Sequence, residues 1–397
     1  MSRTREDELV LVGAARTPQG RLRGQLAPVP ATELGTIALR GALAQAEVDP
    51  RVVDAVVMGH VLQAGAGQNP ARQAALRAGL DGAARAVTVN TVCLSGLTAI
   101  IEAARWLRLG EAEVVVAGGM ESMTRAPHLL PGSRAGFAFG DVGLLDHARH
   151  DGLTDAFDGV AMGELTERSI AGRPVGRVLQ DAVAARSHRR AARARADGTL
   201  RAEIVPVQVP HRRGEPLVAD DEGVRPESTG DTLARLAPAF HPDGTITAGN
   251  ASPLSDGAAA VVLTTRARAE AEAWPVLASL RAHAEVAGPD NTLLEQPARA
   301  LTAALTSEGW TTDQLSTIEI NEAFAAVVAA SAHALGIDPA DPRLNTDGGG
   351  IALGHPLGAS GARLVVHAAH TLRRVGGRAG VALCGGGGQG AALLLDG

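Results

Sequence analysis

The 397-residue chain contains no lysine and no tyrosine, so all 37 of its basic side chains are arginine. The missing lysine excludes a Schiff base, an internal aldimine to pyridoxal phosphate and a phosphate-clamping P-loop or kinase lysine. The missing tyrosine removes one common general acid and oxyanion donor. Aromatic residues make up only 2% of the chain, so its core must be built from Ala, Val and Leu. There are two cysteines, Cys93 and Cys384, and no CxxC or clustered Cys/His spacing, so neither a disulfide framework nor a metal motif is present. The formal net charge of −6 favours neither nucleic acid nor an anionic membrane as a partner. No apolar run approaches the roughly 18 residues that span a bilayer. The opening MSRTREDELVLVGAARTP carries charge on both sides of a short apolar run, unlike a secretory leader. A soluble cytoplasmic protein is the expectation.

What the chain does have is 45% hydrophobic residues and 48 glycines without a collagen-like period. This composition implies a large buried core with many tight turns and close backbone approaches. Strand-like and helical patterns alternate. Leu9–Val12 and Ala55–Met58 read as strands, and Thr32–Ala46 as a helix. Strand Arg85–Thr91, a helix through Leu97, Ile100, Ile101, Ala104 and Leu107, and strand Ala112–Ala117 form a βαβ pattern, so a sheet covered by helices is expected. From about 120 to 250 the periodicity weakens and reads as a long insertion with short elements of its own. A second half begins near Pro275, with strand Thr317–Ile320, a helix from Glu322, a helix over Ala359–Arg373 and a strand ending at Cys384. A cysteine near a strand end in each half hints at an internal duplication. The dense run Arg186–Arg195 reads either as a solvated helix face or as an attractor for a phosphate-bearing ligand.

Four segments stand out chemically. Cys93 sits between a strand and a helix, where the helix dipole and free N–H groups lower a thiol pKa; this is also the placement of an acylated nucleophile. His355 lies between glycines just before a helix and suits either a base that activates a thiol or a donor to a carbonyl oxygen. Asn321 ends a strand; it is either a helix N-cap or an amide that holds a water or substrate oxygen. After Cys384 five of the next six residues are glycine, a pattern read as exposing backbone N–H groups to a ligand rather than serving packing.

Taken in order, Val92-Cys-Leu-Ser-Gly96, Gly118-Gly-Met-Glu-Ser-Met123, Thr247-Ala-Gly-Asn-Ala-Ser252, Asn321-Glu-Ala-Phe324, Gly354-His-Pro356 and Cys384-Gly-Gly-Gly-Gly-Gln-Gly390 resemble the thiolase family along essentially the whole chain. The overall pattern is most similar to its bacterial acetyl-CoA acetyltransferases. The resemblance implies an α/β fold of two similar halves in a layered α-β-α-β-α core, with residues 1–270 forming the half that carries the nucleophile, an inserted loop domain at about 120–250, and residues 271–397 forming the second half. It implies that Cys93 is acylated, that His355 activates it, and that Cys384 moves the α-proton of the second acetyl-CoA. Asn321 would hold a water that joins His355 in one oxyanion hole, and the N–H groups of Cys93 and Gly386 would form the other. Ser252 and Ala248 would lie beside the pantetheine arm, Arg225 near the nucleotide, Phe240 and Phe324 along the tunnel, and Met162 near the acyl pocket. Many biosynthetic members carry histidine where this chain has Ala161.

The resemblance further implies coenzyme A thioesters as substrates, no metal or redox cofactor, and a homotetramer built as a dimer of dimers through the insertion. The reaction implied is the reversible condensation of two acetyl-CoA to acetoacetyl-CoA. Three alternatives stand beside it: a degradative 3-ketoacyl-CoA thiolase for longer chains, a decarboxylating ketoacyl synthase, and a non-catalytic CoA- or lipid-binding homologue.

Overall fold

A computed structural model describes residues 6–397 except 211–213 and 215; the first five residues of the opening stretch lie outside the described residues. One sheet runs through the molecule. Its strands are β1 (Leu9–Arg16), β2 (Ala55–Gly59), β3 (Arg85–Val89), β4 (Val114–Ser122), β5 (Ser255–Thr265), β6 (Ala278–Ala287), β7 (Thr317–Ile320), β8 (Arg378–Gly385) and β9 (Gln389–Asp396). Their spatial order is β7-β8-β9-β6-β1-β5-β4-β2-β3, with the short strand Gly20–Arg21 added against β5. The order repeats itself. β2 pairs parallel with β4, and β4-β5-β1 continue antiparallel. β7 pairs parallel with β8, and β8-β9-β6 continue antiparallel. The two sets meet where β1 pairs with β6 through Val10 and Leu11.

Helices cover the sheet in three layers. α1 (Ala31–Gln45) and α2 (Pro70–Ala78) pack on the outer face of one set, and α6 (Gln296–Glu308) on that of the other. Between the sets lie α3 (Ser95–Arg108) and α8 (Leu357–Val375), packed on each other. Strand alternation accounts for the layering. Leu9 and Leu11 of β1 face the central helices while Val10 and Val12 face α1, and Val381 and Leu383 of β8 turn inward like Val115 and Ala117 of β4. The helices approach closely because Gly96 crosses α8 with no side chain. A Cβ there would lie 2.8 Å from the Ala362 nitrogen and 2.9 Å from the Gly358 oxygen. Gly119 of β4 meets the same oxygen at 1.8 Å from its ideal Cβ position, so only glycine fits.

Several expectations change. The topological partner of Cys93, which precedes α3 and β4, is His355, which precedes α8 and β8; the two cysteines are not equivalent positions. Strand β3 ends at Val89 rather than Thr91, because the next residues form the turn that presents Cys93. The helix expected from Glu322 is α7 (Ala325–Ala334), with Phe324 at its N-cap. The segment before it stays extended: the Asn321 N–H donates to Ala382 O at 3.0 Å, and Phe324 bridges to Ala251. The insertion holds α4 (Met162–Ile170) and a 20-residue helix, α5 (Arg177–Ala196). Only the Arg186–Arg195 part of α5 reads as a helix in sequence, because its buried face of Val183, Ala184, Ala191 and Ala194 mixed with Gln180, Ser187 and His188 leaves almost no apolar period.

In the Arg186–Arg195 run Arg189, Arg193 and Arg195 lie on an exposed helix face, while several of its arginines also hold neighbouring backbone. Arg186 donates to Pro339 O, Arg190 to Leu344 O, and Arg193 to Thr346 O and Asp347. These arginines tie the α5 helix to residues 339–347. Among the described residues no helix is long and apolar enough to cross a membrane.

Candidate active site

The turn between β3 and α3 holds Cys93 by a strained backbone. Val92 has φ +53°, a left-handed conformation that a β-branched residue rarely takes. Side chains enforce it. The Val92 N–H donates to Asn90 Oδ1 at 2.9 Å, the Thr91 N–H to Ser95 Oγ at 2.9 Å, and Ser95 Oγ donates to Val92 O at 2.6 Å. α3 then starts without a side-chain cap. The backbone N–H groups of Cys93 itself and of Gly386 reach the sulfur and favour its anion. Burial outweighs them and pushes the thiol up to about 12, with the Glu121 carboxylate adding to the rise. The lowered pKa expected from the helix terminus is therefore absent, because loss of hydration costs the anion more than two N–H groups return.

Just ahead of the other central helix, His355 is buried and its backbone N–H donates to Ser255 Oγ at 3.1 Å. Ser360 Oγ sits 2.5 Å from Nδ1 and spends its own proton on Pro356 O at 2.9 Å. The hydroxyl must then accept from Nδ1–H, which leaves Nε2 as the bare, proton-accepting nitrogen. Burial, aided by the positive charge of Arg363, pushes the imidazole down to about 4. The resting pair is thus thiol and neutral imidazole. The amide nitrogen of Asn321 lies 3.4 Å from Nε2 and 3.5 Å from Nδ1, and its Oδ1 has no protein partner although fully buried. Asn321 is not an N-cap; its amide is free for the ring and for a small ligand.

Cys384 is the next-to-last residue of β8 and is 1% exposed. Burial and then the neighbouring Cys93 sulfur hold its thiol well above the ordinary range. Both cysteines are free. The glycine run after Cys384 does serve packing. A Cβ on Gly385 would lie 2.6 Å from Leu94, one on Gly388 1.8 Å from the Asp290 oxygen, and one on Gly390 2.5 Å from the Gln296 oxygen. Gly386 has ordinary room on its Cβ side, 3.5 Å to Val92, and it is the residue whose N–H reaches Cys93.

Cys93, His355, Cys384 and Gly386 open onto one cavity of about 260 Å³, whose walls include Leu153, Met162, Leu254, Leu293 and Leu357. Phe240, Phe324 and Ser252 line it as well, as does Ala161. Phe240 and Phe324 meet edge to face, with centroids 6.2 Å apart at 84°. Gly163 makes room for them, since its Cβ would lie 2.2 Å from the Phe240 ring. The N–H and Oγ of Ser252 both donate to Ala323 O at 3.0 Å, which leaves the hydroxyl lone pairs for a ligand. Ala248 and Arg225 are exposed and do not line the cavity. Arg225 instead lies near His188 and Arg21; burial and then the Arg225 charge push His188 down to about 4, and burial and then Arg225 lower Arg21.

Three supporting residues had no role assigned from sequence. Ser360 fixes the tautomer of His355, and its only signal was a hydroxyl five residues further on, in the apolar first turn of α8. Ser255 anchors the backbone of His355. Glu121, fully buried, accepts from Val61 N at 3.0 Å, Leu62 N at 3.2 Å and Gly358 N at 3.0 Å. It therefore fixes the start of α8, and so His355, against β4. Its signal was a carboxylate inside the apolar strand pattern around Gly118–Met123. Among the described residues no group of three or more His, Cys, Asp or Glu is placed to hold a metal ion.

Two thiols and a neutral imidazole on one cavity are the groups that acyl transfer through a cysteine thioester calls for. The chain belongs to the thiolase family, with residues 9–267 matching the thiolase N-terminal domain and residues 274–397 the thiolase C-terminal domain. It is 53% identical over 388 residues to a probable acetyl-CoA acetyltransferase of Mycolicibacterium smegmatis, covering 97% of this chain and 100% of that protein. It is 52% identical to a probable acetyl-CoA acetyltransferase of Mycobacterium tuberculosis, over 97% of this chain and 98% of that one. An acetyl-CoA acetyltransferase of Pseudomonas aeruginosa is 48% identical over 391 residues, 98% of this chain and 99% of its own.

Proposed function

We propose that this thiolase is an acetyl-CoA C-acetyltransferase that condenses two acetyl-CoA into acetoacetyl-CoA and free CoA, reversibly, through an acetyl-Cys93 intermediate. The observation that carries the reading is the meeting of Cys93, His355, Cys384 and the Gly386 N–H on one cavity. The protonation states set the order of events. His355 Nε2 takes the Cys93 proton as sulfur attacks the thioester carbon, and the N–H groups of Cys93 and Gly386 receive the oxyanion. The departing CoA thiolate takes its proton from Cys384, which leaves a Cys384 thiolate facing an imidazolium. Cys384 then removes the α-proton of the second acetyl-CoA. The enolate oxygen is met by His355 and by a water on the Asn321 amide. Its carbon attacks acetyl-Cys93, the Cys93 thiolate is expelled, and His355 returns the proton to it. Every group ends as it began.

Ser252, Phe240, Phe324 and Met162 serve the pantetheine and acyl portions, with Ala248 beside the arm. The closeness of Arg21, Arg225 and His188 supports an anionic nucleotide there. CoA thioesters are substrates, and no metal or redox cofactor enters the cycle. The same reading makes the protein a cytoplasmic homotetramer of fatty acid metabolism. The exposed Phe137, Phe139, Val142 and Leu144 support subunit contact through the insertion, and light scattering tests it.

Mixing the protein with acetyl-CoA should add one acetyl group to Cys93, seen by intact and peptide mass, and release acetoacetyl-CoA. Cys93→Ser should lower turnover by at least on the order of 10³-fold. Turnover of a malonyl thioester without acetyl-CoA condensation, or a strong preference for long 3-ketoacyl-CoA, would overturn the assignment.

A further inference from the structure

Behind the catalytic cavity, β7 and α8 face each other with polar residues at the period of each element. On β7 and just beyond it, Thr317, Glu319 and Asn321 alternate toward α8, while Ile318 and Ile320 turn to the outer core. On α8, Arg363, His367 and Thr371 recur every fourth residue toward β7. All six are buried. Thr317 Oγ1, both Glu319 oxygens, Asn321 Oδ1, all three Arg363 nitrogens, His367 Nε2 and Thr371 Oγ1 have no protein partner within hydrogen-bond reach.

These groups face one another as ion pairs beyond hydrogen-bond length, while His367 Nδ1 is bonded to Glu203 Oε2 at 2.9 Å. Arg363 Nη1 stands 3.8 Å from Glu319 Oε2, His367 Nε2 3.9 Å from Glu319 Oε1, and His367 Nε2 3.6 Å from Asp347 Oδ2. A buried charged group left unbonded costs several kcal/mol, and two facing rows of them do not arise from packing alone. Buried polar atoms left without a protein partner in such number are the groups that bound water satisfies. One end of the seam is Asn321 beside His355. The other opens into a surface pocket of about 570 Å³ lined by Glu203, His367, His370, Thr371 and Arg374.

We propose that the seam between β7 and α8 is a hydrated channel whose bound waters run from the His367–Thr371 pocket to the Asn321 amide, with Glu319 and Arg363 as positioning residues that hold the last water against Asn321 and His355. The channel reaches the oxyanion water from the face opposite the substrate cavity, so that water stays in place and exchanges while CoA fills the cavity. Charge supports the placement. Burial raises the Glu319 carboxyl to about 7, opposed by His367 and Arg363 and reinforced by Asp347 and Glu322, so the row can carry or shed a proton. Arg363 in turn faces Arg16 and Glu203 as well as Glu319. The role of the last water rests on the acetyl-transfer reading of Asn321 and His355; the channel itself does not.

A crystal structure of the wild-type protein tests the channel directly. Ordered waters bridging Glu319, Arg363, His367 and Asn321 are expected, whereas a dry seam with Arg363 bonded directly to Glu319 overturns the proposal. Glu319→Gln and Arg363→Gln test the positioning role. Each folded variant should lose about 10- to 100-fold in kcat for condensation, with KM for acetyl-CoA and the rate of Cys93 acetylation unchanged. An unchanged kcat, or a loss confined to KM, overturns it. If one variant fails to fold, the other and the wild-type waters decide. If wild-type Cys93 is never acetylated, the functional reading fails instead, and the water chain is judged on the crystal structure alone.

Discussion

The turns that present Cys93 and His355 occupy the same place in the two repeats, each just before a central helix, yet they are built by opposite means. Ahead of Cys93 stands Val92 at φ +53°; ahead of His355 stands Gly354 at φ +128°. The first turn places a strained β-branched residue under three hydrogen bonds from Asn90 and Ser95. The second uses glycine, which takes that backbone without penalty, and fixes the side chain instead, through Ser360 on Nδ1. On the proposed roles, a nucleophile is aimed by its backbone, because the same backbone would supply its oxyanion N–H. A base must be aimed by its ring, because the tautomer decides which nitrogen accepts.

The largest effects should come from separating the chemistry of the two turns. His355→Ala is expected to slow acetylation of Cys93 by about 10²- to 10⁴-fold. Cys384→Ala should remove condensation to a similar extent, whereas acetylation, which loses only the proton donor to the departing CoA thiolate, should slow less and stay measurable, read as acetyl-enzyme that accumulates without acetoacetyl-CoA. Equal loss of both steps in the Cys384 variant would break the assignment of separate roles. The pH dependence sharpens the same comparison. As the proposed base, His355 acts in its neutral form, present above its pKa of about 4 and lost below it. The acid limb of the acetylation rate should therefore fall near pH 4 rather than near the ordinary histidine value of about 6.5. Cys93, pushed up to about 12, should be alkylated faster and faster into the alkaline range. A limb near neutrality with rapid alkylation there would mean a preformed thiolate–imidazolium pair.

Much of this was legible in the sequence, and the limits are physical. The alternation of β1, β2 and β4 and the apolar period of α3 show through, because each of these elements buries Val, Leu or Ile on a defined face. The full length of α5 did not, because apart from Val183 its buried face is alanine and polar. Reactive residues announced themselves by type and by glycine neighbours. Their partners did not: Ser255 and Glu121 act on His355 from strands remote in sequence, and the equivalence of His355 with Cys93 exists only in the strand order. Context also decided the sign of the Cys93 shift, since a helix terminus is visible in sequence and burial is not.

A smaller effect is expected where the two helices touch. Gly96→Ala would place its Cβ 2.8 Å from the Ala362 nitrogen and 2.9 Å from the Gly358 oxygen. Both atoms are backbone, so α3 and α8 must part. Overpacking of this kind costs about 1–3 kcal/mol. A shift of an ångström between Cys93 and His355 costs about 10²-fold in rate. Denaturant midpoint and acetylation rate should fall together; a stable variant with full activity would show that the crossing does not set the distance between the turns.

The smallest effect tests the strain itself. Val92→Gly removes a β-branched residue from a left-handed conformation, a relief of about 1–2 kcal/mol. It also gives the unfolded chain more freedom, which costs about 0.5–1 kcal/mol in the other direction, and it deletes the Val92 contact at 3.5 Å from Gly386. Stability should therefore change by less than about 1 kcal/mol. The rate should not be so indifferent, because Val92 is what separates the Cys93 N–H from a freely moving turn. Acetylation is expected to slow about tenfold with KM for acetyl-CoA unchanged, since the lost quantity is oxyanion alignment in the transition state rather than ground-state binding. Should the glycine variant acetylate at the wild-type rate, Asn90 and Ser95 alone would be holding the turn, and the strained valine would be a packing residue against Gly386.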